Sequence, residues 1–273
     1  YNSCMHPILF DLFGLKVYTY GVMASLAMIV GYLLAIFFAK KEGIESHKIE
    51  NIFLFGIIGA ILGARLAYVI EHHNEMTSFF SPFEIWQGGL DWFGGLIGGL
   101  ITILALIKYY NLEPFKVADI AAIALPIGQA IGRIGCTSAG CCYGKEVSGV
   151  SNLSVGVHLM SKFPYFYMVF PEGAIAPPHV PLYPTELMDL VFNLFIFLGA
   201  IMIFYKKRFD GEVFVFYLFF AGLFRFIEEF YRGVTPPIPG IGLTWNQIVC
   251  IGMMIGSIVL WFILHKKPQE KHA

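Results

Sequence analysis

A single arginine stands in an otherwise uncharged stretch of the chain, surrounded by glycines. The stretch runs from Gly128 to Gly144, with the sequence GQAIGRIGCTSAGCCYG, and its arginine is Arg133. A charge in an apolar setting is costly and usually marks a functional site. A guanidinium group binds phosphate oxygens through paired hydrogen bonds and keeps its charge when buried. The stretch therefore predicts an anion-binding site centred on Arg133.

Two further arginines, Arg65 and Arg225, also lie inside apolar stretches. Counted from the predicted helix starts, the three arginines lie about 13 to 17 residues along, or roughly 20 to 25 Å at 1.5 Å per residue. Glu229 follows Arg225 by four residues, so the two can pair on one helix face. Three arginines at one depth predict a site for an anionic lipid headgroup. The alternative is that each arginine extends to the interface or pairs with a carboxylate and serves only packing.

Three cysteines, Cys136, Cys141 and Cys142, follow Arg133 closely. An oxidising compartment would favour a structural disulfide, with Cys4 as a possible partner. The cysteines can also be small packing residues, or one can be a thiolate nucleophile whose pKa the arginine lowers. A metal site is disfavoured, because the C-x4-C-C spacing matches no common zinc pattern. We therefore predict no metal and no cofactor.

Asp91 lies at the start of an apolar run, just before Phe93, Gly94 and Gly95. A carboxylate at the water boundary beside arginines would stay ionised and could accept a proton. The alternative is a helix-start carboxylate that the helix dipole favours. Both interpretations stay open from the sequence.

The composition is that of a helical membrane protein. Hydrophobic residues make up 57% and charged residues 14% of the 273 residues, whereas about 25% of residues are charged in soluble domains. A bilayer core needs roughly 20 apolar residues per helix. Seven stretches qualify: 18–39, 50–71, 92–109, 116–135, 185–205, 212–232 and 245–264. We predict an all-α, single-domain membrane protein, and the net charge of -1 gives no indication of a nucleic-acid partner.

Lysine and arginine are distributed unevenly between the two sets of helix ends. One set holds Lys40, Lys41, Lys48, Lys108, Lys116, Lys206, Lys207, Arg208, Lys266, Lys267 and Lys271, and the other holds Lys16, Lys145, Lys162 and Arg232. Positive residues concentrate on the cytoplasmic side. The N-terminus is therefore predicted outside and the C-terminus inside. The long proline-rich loop from about 136 to 184 is then external, and residues 145–182 form a predicted arm or lid.

The stretch around Arg133 resembles the signature of bacterial prolipoprotein diacylglyceryl transferases, a Gly-Arg-x-Gly core followed by a polar stretch that ends in an aromatic residue and Gly. The resemblance covers most of the chain. Further segments that resemble the family are YTYGVMA at 18–24, GARLAYV at 63–69, GGLDWFGGLIGG at 88–99, YPTELMDL at 183–190, FRFIEEFYR at 224–232 and GLTWNQI at 242–248. Each piece is weak alone, and their order across seven helices makes the match specific.

The resemblance implies an enzyme that moves the diacylglyceryl group of phosphatidylglycerol onto a lipobox cysteine thiol and releases glycerol phosphate. Arg133 and Arg225 would hold the phosphate and stabilise the leaving group. With Glu229 and Asp91 they are the predicted catalytic residues. Predicted substrate-binding residues are Tyr20, Arg65, Gly94, Gly95, Gly132, Gly135, Cys136, Gly144, Arg232 and Asn246. The resemblance also implies a bacterial inner membrane location, with the site facing the outer leaflet.

The chain departs from the family at polar positions. The family's His before the third-helix Gly-Gly is Phe93, so the expected general base is missing. The family's Asn after Gly-Arg-x-Gly is Cys136, and its Glu near the end of the signature is Cys141. The His and Gln of its His-Pro-Ser-Gln segment are Tyr183 and Glu186. These departures indicate a divergent member.

Three functions are compatible with the residues. The first is the diacylglyceryl transferase, with an anionic phospholipid and a lipoprotein precursor as partners. The second is a related lipid transferase or hydrolase with another acceptor, which Phe93 favours. The third is a non-catalytic lipid-binding or transport protein. Transport would need polar groups in the inner half of the membrane, whereas the buried charges assigned from the sequence all lie in the outer half.

Overall fold

The computed structural model describes residues 8–12, 15–73, 89–150, 152–233 and 236–266. These residues form seven α-helices: α1 Thr19–Lys41, α2 Ser46–Glu71, α3 Trp92–Tyr109, α4 Pro114–Ala139, α5 Thr185–Phe204, α6 Glu212–Arg232 and α7 Trp245–His265. Each helix matches a predicted apolar stretch to within four residues at either end. The prediction of a helical protein is confirmed.

Six of the described helices are long and apolar enough to cross a membrane, and α6 is the exception. Its length of 21 residues is sufficient, but five of them are charged. Those five residues are Glu212, Arg225, Glu228, Glu229 and Arg232. Outward side chains elsewhere suit lipid contact: Leu62 on α2 and Ile101 on α3 are 61% and 62% exposed. Helix α6 therefore brings several charged side chains into an otherwise apolar set of helices.

Two small sheets, which the sequence did not predict, add to the helices. Strands β1, Ile8–Leu12, and β2, Leu15–Tyr18, form an antiparallel hairpin where the sequence indicated a surface segment. Strands β3, Gly156–Leu159, β4, Phe166–Val169, and β5, Pro181–Leu182, form an antiparallel sheet in the order β3-β4-β5. The strands are at most five residues long and lie in or beside proline-rich sequence, so no alternating pattern predicted them.

The predicted arm has a hydrophobic core of its own. Met168 and Phe170 are fully buried, and Leu182 of β5 is 3% exposed. Backbone hydrogen bonds join the arm to two helix ends: Gly144 N donates to Tyr183 O at 2.9 Å, and Lys145 N donates to Tyr231 O at 2.7 Å. The arm is therefore anchored at the start of α5 and the end of α6.

The chain divides into two compact units, one of residues 1–31 with 121–273 and one of residues 32–120. Helices α2 and α3 of the second unit pack at glycines. A Cβ added to Gly63 would lie 2.4 Å from the Gly94 carbonyl oxygen, so only glycine permits this approach. The expectation of a single domain stays a prediction.

Candidate active site

Arg133 lies near the end of α4 and is held by a carboxylate from α5. Its Nε donates to Asp189 Oδ2 at 2.5 Å, and the two side chains are 23% and 18% exposed. Asn193, one turn further along α5, donates from Nδ2 to Asp189 Oδ1 at 3.0 Å. Within the described residues, Arg133 makes no other side-chain hydrogen bond, so both terminal amino groups keep N–H donors for an anion. One edge of the guanidinium is fixed, and the other is available.

The end of α6 carries two arginines and two buried glutamates. Arg225 Nη1 donates to Glu228 Oε2 at 2.8 Å, and Arg225 Nη2 lies 3.1 Å from Glu229 Oε2 as an ion pair without hydrogen-bond alignment. Arg232 Nη1 lies 3.6 Å from Glu228 Oε1. The predicted pairing of Arg225 with Glu229 is confirmed, and Glu228 is a partner that the sequence reasoning missed.

The start of α7 closes this network. Asn246 Nδ2 donates to Glu229 Oε1 at 3.0 Å, and Thr244 Oγ1 donates to the same oxygen at 3.3 Å. Thr244 also caps α7, because its hydroxyl accepts from Gln247 N at 3.2 Å while Gln247 Oε1 accepts from Thr244 N at 3.0 Å. Glu229 therefore joins the C-terminal end of α6 to the first turn of α7.

Arg133 and Arg225 belong to one electrostatic network, because each interacts with both Asp189 and Glu228. The network contains three arginines and at least as many carboxylates. The arginines are Arg133, Arg225 and Arg232, and the carboxylates include Asp189, Glu228 and Glu229. The network therefore has no excess of positive charge. An anion would bind through directed N–H donors, such as those on the two terminal amino groups of Arg133.

Three predicted glycines have different surroundings. A Cβ at Gly135 would lie 3.2 Å from Tyr20 Cα and 3.0 Å from Met23 Cβ, so α1 and α4 approach closely there. A Cβ at Gly144 would lie 2.6 Å from Tyr231 O, which reserves that position for glycine. A Cβ at Gly132 would meet no described atom within 4 Å outside its own helix backbone. The position that a Gly132 side chain would take, next to Arg133 in the sequence, is therefore open among the described residues.

The three cysteines after Arg133 come together as free thiols. Their Sγ atoms all lie within 4.8 Å of one another. A hydrogen bond from Cys136, together with Arg133 and Arg232, lowers the pKa of Cys142 to about 5 against the opposing effect of burial. Burial raises the pKa of Cys141, and neighbouring Cys142 adds to this. The structure thus has thiols where a disulfide was one alternative; Cys4 lies outside the described residues.

Arg65 and Asp91 lie in the second unit. Arg65 is 8% exposed, donates from Nη1 to Gly89 O at 3.0 Å, and lies over the Tyr68 ring at 5.4 Å. Asp91 Oδ1 accepts from Gly94 N at 2.6 Å and caps α3. Asp91 is thus a helix-start carboxylate, as one of the two interpretations from the sequence has it.

Phe93, at the position of the family's His, is 68% exposed, and its ring packs edge-on against that of Trp92. A Cβ added to Gly95 would lie 3.4 Å from Ala60 O and from Ala64 Cβ, which is an ordinary van der Waals distance. No proton-accepting side chain therefore replaces the missing His at this position.

Sequence reasoning missed the buried carboxylates. Asp189 and Glu186 stand in the first turns of an apolar helix, and the rule that singled out the arginines applies equally to them. A further carboxylate, Asp119, is fully buried near the start of α4. The placement of buried charges from the sequence covered the arginines and did not include Asp119.

Comparison with known proteins identifies relatives over nearly the whole chain. A family model described as prolipoprotein diacylglyceryl transferase matches residues 7–263. The chain is 33% identical over 231 residues to a phosphatidylglycerol–prolipoprotein diacylglyceryl transferase of Clostridium tetani, covering 84% of this chain and 86% of that protein. It is 31% identical over 271 residues to a Clostridium perfringens protein named as phosphatidylglycerol–prolipoprotein diacylglyceryl transferase 2, covering 98% of each. A phosphatidylglycerol–prolipoprotein diacylglyceryl transferase of Wigglesworthia glossinidia brevipalpis is 30% identical over 278 residues, covering 93% of this chain and 94% of that protein.

Proposed function

The chain belongs to the prolipoprotein diacylglyceryl transferase family, and from this we propose that it moves a diacylglyceryl group from phosphatidylglycerol to a cysteine thiol of a lipoprotein precursor. The relatives carry this activity in their names. The family and the apolar helices make the protein a multi-pass bacterial membrane protein.

The observation that carries the proposal is the arrangement of Arg133. Its Nε is held by Asp189, and its terminal amino groups have no hydrogen-bond partner among the described residues. Open space lies beside it at Gly132. A guanidinium held in this way can bind a phosphate through two parallel hydrogen bonds without a cost for ordering the side chain. Arg133 is therefore the proposed phosphate ligand.

The proposed reaction is a displacement at the glycerol carbon that bears the phosphate. The acceptor sulfur forms a bond to that carbon, the carbon–oxygen bond to the phosphate breaks, and its electron pair stays on the leaving phosphate oxygen. The thiol proton passes to a base, for which Asp91 is the predicted residue. Negative charge grows on the phosphate in the transition state, and preorganised donors stabilise such charge more than they stabilise the ground state. Arg133 supplies these donors, while Arg225 is held by Glu228 and Glu229.

The direct test combines the purified protein with phosphatidylglycerol and a peptide that contains a lipobox cysteine. Glycerol phosphate should appear in the same molar amount as the peptide with an added diacylglyceryl group, measured by mass spectrometry. A peptide with serine in place of the cysteine is the matched control and should gain nothing. Glycerol phosphate released without any lipidated peptide would contradict transfer and indicate hydrolysis.

A second candidate differs only in the acceptor. The exposed Phe93 stands where the family has a His, so activation of the acceptor thiol is the step in which this chain departs from its relatives. A transferase with another thiol, hydroxyl or amine acceptor would consume phosphatidylglycerol only when that acceptor is present. Lipidation of the lipobox peptide at a rate that depends on Asp91 would reject this candidate.

The proposed orientation puts the arm outside and the active site toward the outer leaflet of the inner membrane. The support is the concentration of lysine and arginine at the opposite helix ends. Two exposed lysines report on it. In cells treated with a membrane-impermeant maleimide, mass spectrometry that separates the new thiol from the native cysteines should find the reagent on residue 162 of Lys162→Cys, in the arm, and not on residue 206 of Lys206→Cys, after α5. The reverse labelling pattern would overturn the orientation.

A further inference from the structure

A tight turn after α4 gathers three thiols that are not adjacent on a helix. The α4 helix ends at Ala139, and Gly140 and Cys142 take left-handed backbone conformations, with φ of 70° and 67°. Cys141 N donates to Cys136 O at 3.1 Å, which ties the turn back onto the helix. The left-handed region is uncommon for a residue with a side chain. The turn thus brings Cys141 and Cys142 against Cys136.

We propose that Cys136, Cys141 and Cys142 form a binding site for a thiophilic metal cation of the Zn²⁺ class. Their Sγ atoms lie within 4.8 Å of one another. A zinc–sulfur bond of about 2.3 Å implies sulfur atoms roughly 3.8 Å apart around a tetrahedral ion. Side-chain rotations that draw each pair together by about 1 Å or less would complete the site. Thiolate ligands select soft or borderline cations over Mg²⁺ and Ca²⁺.

Glu186 is an independent indication that a cation is expected here. Its side chain is fully buried, and neither carboxylate oxygen has a hydrogen-bond partner within the described residues. It interacts electrostatically with both Cys141 and Cys142. A buried carboxylate without hydrogen bonds is costly, and such groups pair with a charge or coordinate a metal. The ligand atoms within 4.8 Å of one another are the three thiols alone, so we assign Glu186 as a partner that lies outside the coordination shell.

Positive charges lie near the site. Three thiolates around a dication leave one negative charge. Arg133 and Arg232 both interact electrostatically with Cys142 and offset part of this charge, although each also faces a carboxylate. Neither arginine has a lone pair to offer, so both remain outside the coordination shell. The three protein ligands leave the fourth position of a tetrahedral ion open to a water molecule or another external ligand.

The binding experiment uses the reduced, metal-free full chain in detergent. Cd²⁺ is the spectroscopic probe, because its thiolate complexes absorb in the ultraviolet, and Zn²⁺ affinity follows from competition with a chelating indicator. One equivalent should bind per chain. Cys136→Ser, Cys141→Ser and Cys142→Ser should each weaken binding by at least about 10-fold, and Glu186→Gln by about 10- to 100-fold. Cys250→Ser is the matched control, since Cys250 is a buried free thiol on α7, and it should bind like the unchanged protein.

A second measurement needs no variant and so does not depend on how the serine proteins fold. The unchanged chain is treated with an alkylating reagent with and without one equivalent of Zn²⁺, and mass spectrometry locates the modified cysteines. Zinc should protect Cys136, Cys141 and Cys142 together. Alkylation of the three that zinc does not alter, or a disulfide between two of them in protein purified without reductant, would overturn the proposal. Binding that survives the three serine substitutions would overturn it equally.

Discussion

Asp189 accepts a hydrogen bond from Arg133 Nε, and Asn193 supports the same carboxylate from the next turn of α5. The contact uses the one guanidinium nitrogen that is not part of the terminal fork. It therefore fixes the plane of the guanidinium while both terminal amino groups stay available. Asp189 positions Arg133 across two helices, and the first prediction follows from this geometry.

Asp189→Ala should lower the rate of glycerol phosphate release by about 10- to 100-fold. A hydrogen bond to a charged group contributes about 1.5–3 kcal/mol, and about 1.4 kcal/mol corresponds to a factor of ten in rate. Because Asp189 acts through Arg133, the loss should appear in kcat and KM for phosphatidylglycerol, and Asp189→Glu should restore part of it.

Asp210→Ala is the control for that prediction. Asp210 pairs with Lys207 at 2.9 Å in a partly exposed ion pair between α5 and α6, and such pairs contribute about 0–1 kcal/mol. This variant should turn over as the unchanged protein does. If Asp189→Ala and Asp210→Ala lowered the rate of glycerol phosphate release equally, Asp189 would have no specific role in positioning Arg133.

Arg133→Lys should lose activity although the charge is kept. An ammonium group is a point charge without the planar fork that binds two phosphate oxygens at once. Removal of one preorganised donor to a developing anion costs about 100- to 1,000-fold in rate, so we expect a loss of at least about 100-fold with phosphatidylglycerol. Arg208→Lys, at an exposed position between α5 and α6, is the matched control. Full activity of Arg133→Lys would show that charge alone suffices.

The helices and the arginines could be predicted from the sequence because both depend on strong local signals. Apolar length sets a membrane helix, and every predicted stretch lies within four residues of an observed helix. Arg133 stands out because it is the only charged residue between Gly128 and Gly144. The pairing of Arg225 with Glu229 follows from helical spacing.

The carboxylates and the thiol cluster depend on tertiary structure and could not be assigned in the same way. Asp189 meets Arg133 from another helix, 56 positions further along the chain. The cysteines meet because of a left-handed turn at Gly140 and Cys142, which their C-x4-C-C spacing does not indicate. The pairing of Glu228 with Arg225 could have been predicted, because residues three positions apart on a helix lie on the same face.

Asp91→Asn separates proton transfer from helix capping. Asparagine caps a helix about as well as aspartate, so α3 should keep its first turn and the protein its thermal stability. General base catalysis contributes about 100- to 10,000-fold, and the predicted catalytic role requires a loss of at least about 100-fold. Asp91→Ala should in addition lower stability by about 1 kcal/mol. Unchanged turnover in Asp91→Asn would leave Asp91 as a helix cap only.

Thr244→Ala should destabilise the junction of α6 and α7. The hydroxyl caps α7 and also contacts Glu229, and loss of a cap costs about 1 kcal/mol. For a chain of this size that corresponds to a decrease in thermal midpoint of about 2–4 °C. Thr244→Ser keeps the hydroxyl and should unfold at nearly the original midpoint. If both variants unfold at one lower temperature, the methyl group rather than the cap is responsible.

Gly132→Ala should weaken phosphatidylglycerol binding without lowering thermal stability. A Cβ at this position would meet no described atom within 4 Å outside its own helix backbone, and alanine is about 1 kcal/mol more favourable than glycine inside a helix. The thermal midpoint should therefore stay the same or rise. If the open space beside Arg133 holds the phospholipid headgroup, the new methyl group will crowd it, and KM for phosphatidylglycerol should rise by about 10-fold or more. Gly144→Ala gives the opposite pattern, since its Cβ would lie 2.6 Å from Tyr231 O and the fold itself should be destabilised. A Gly132→Ala protein that is stable and has an unchanged KM would show that the lipid headgroup lies elsewhere.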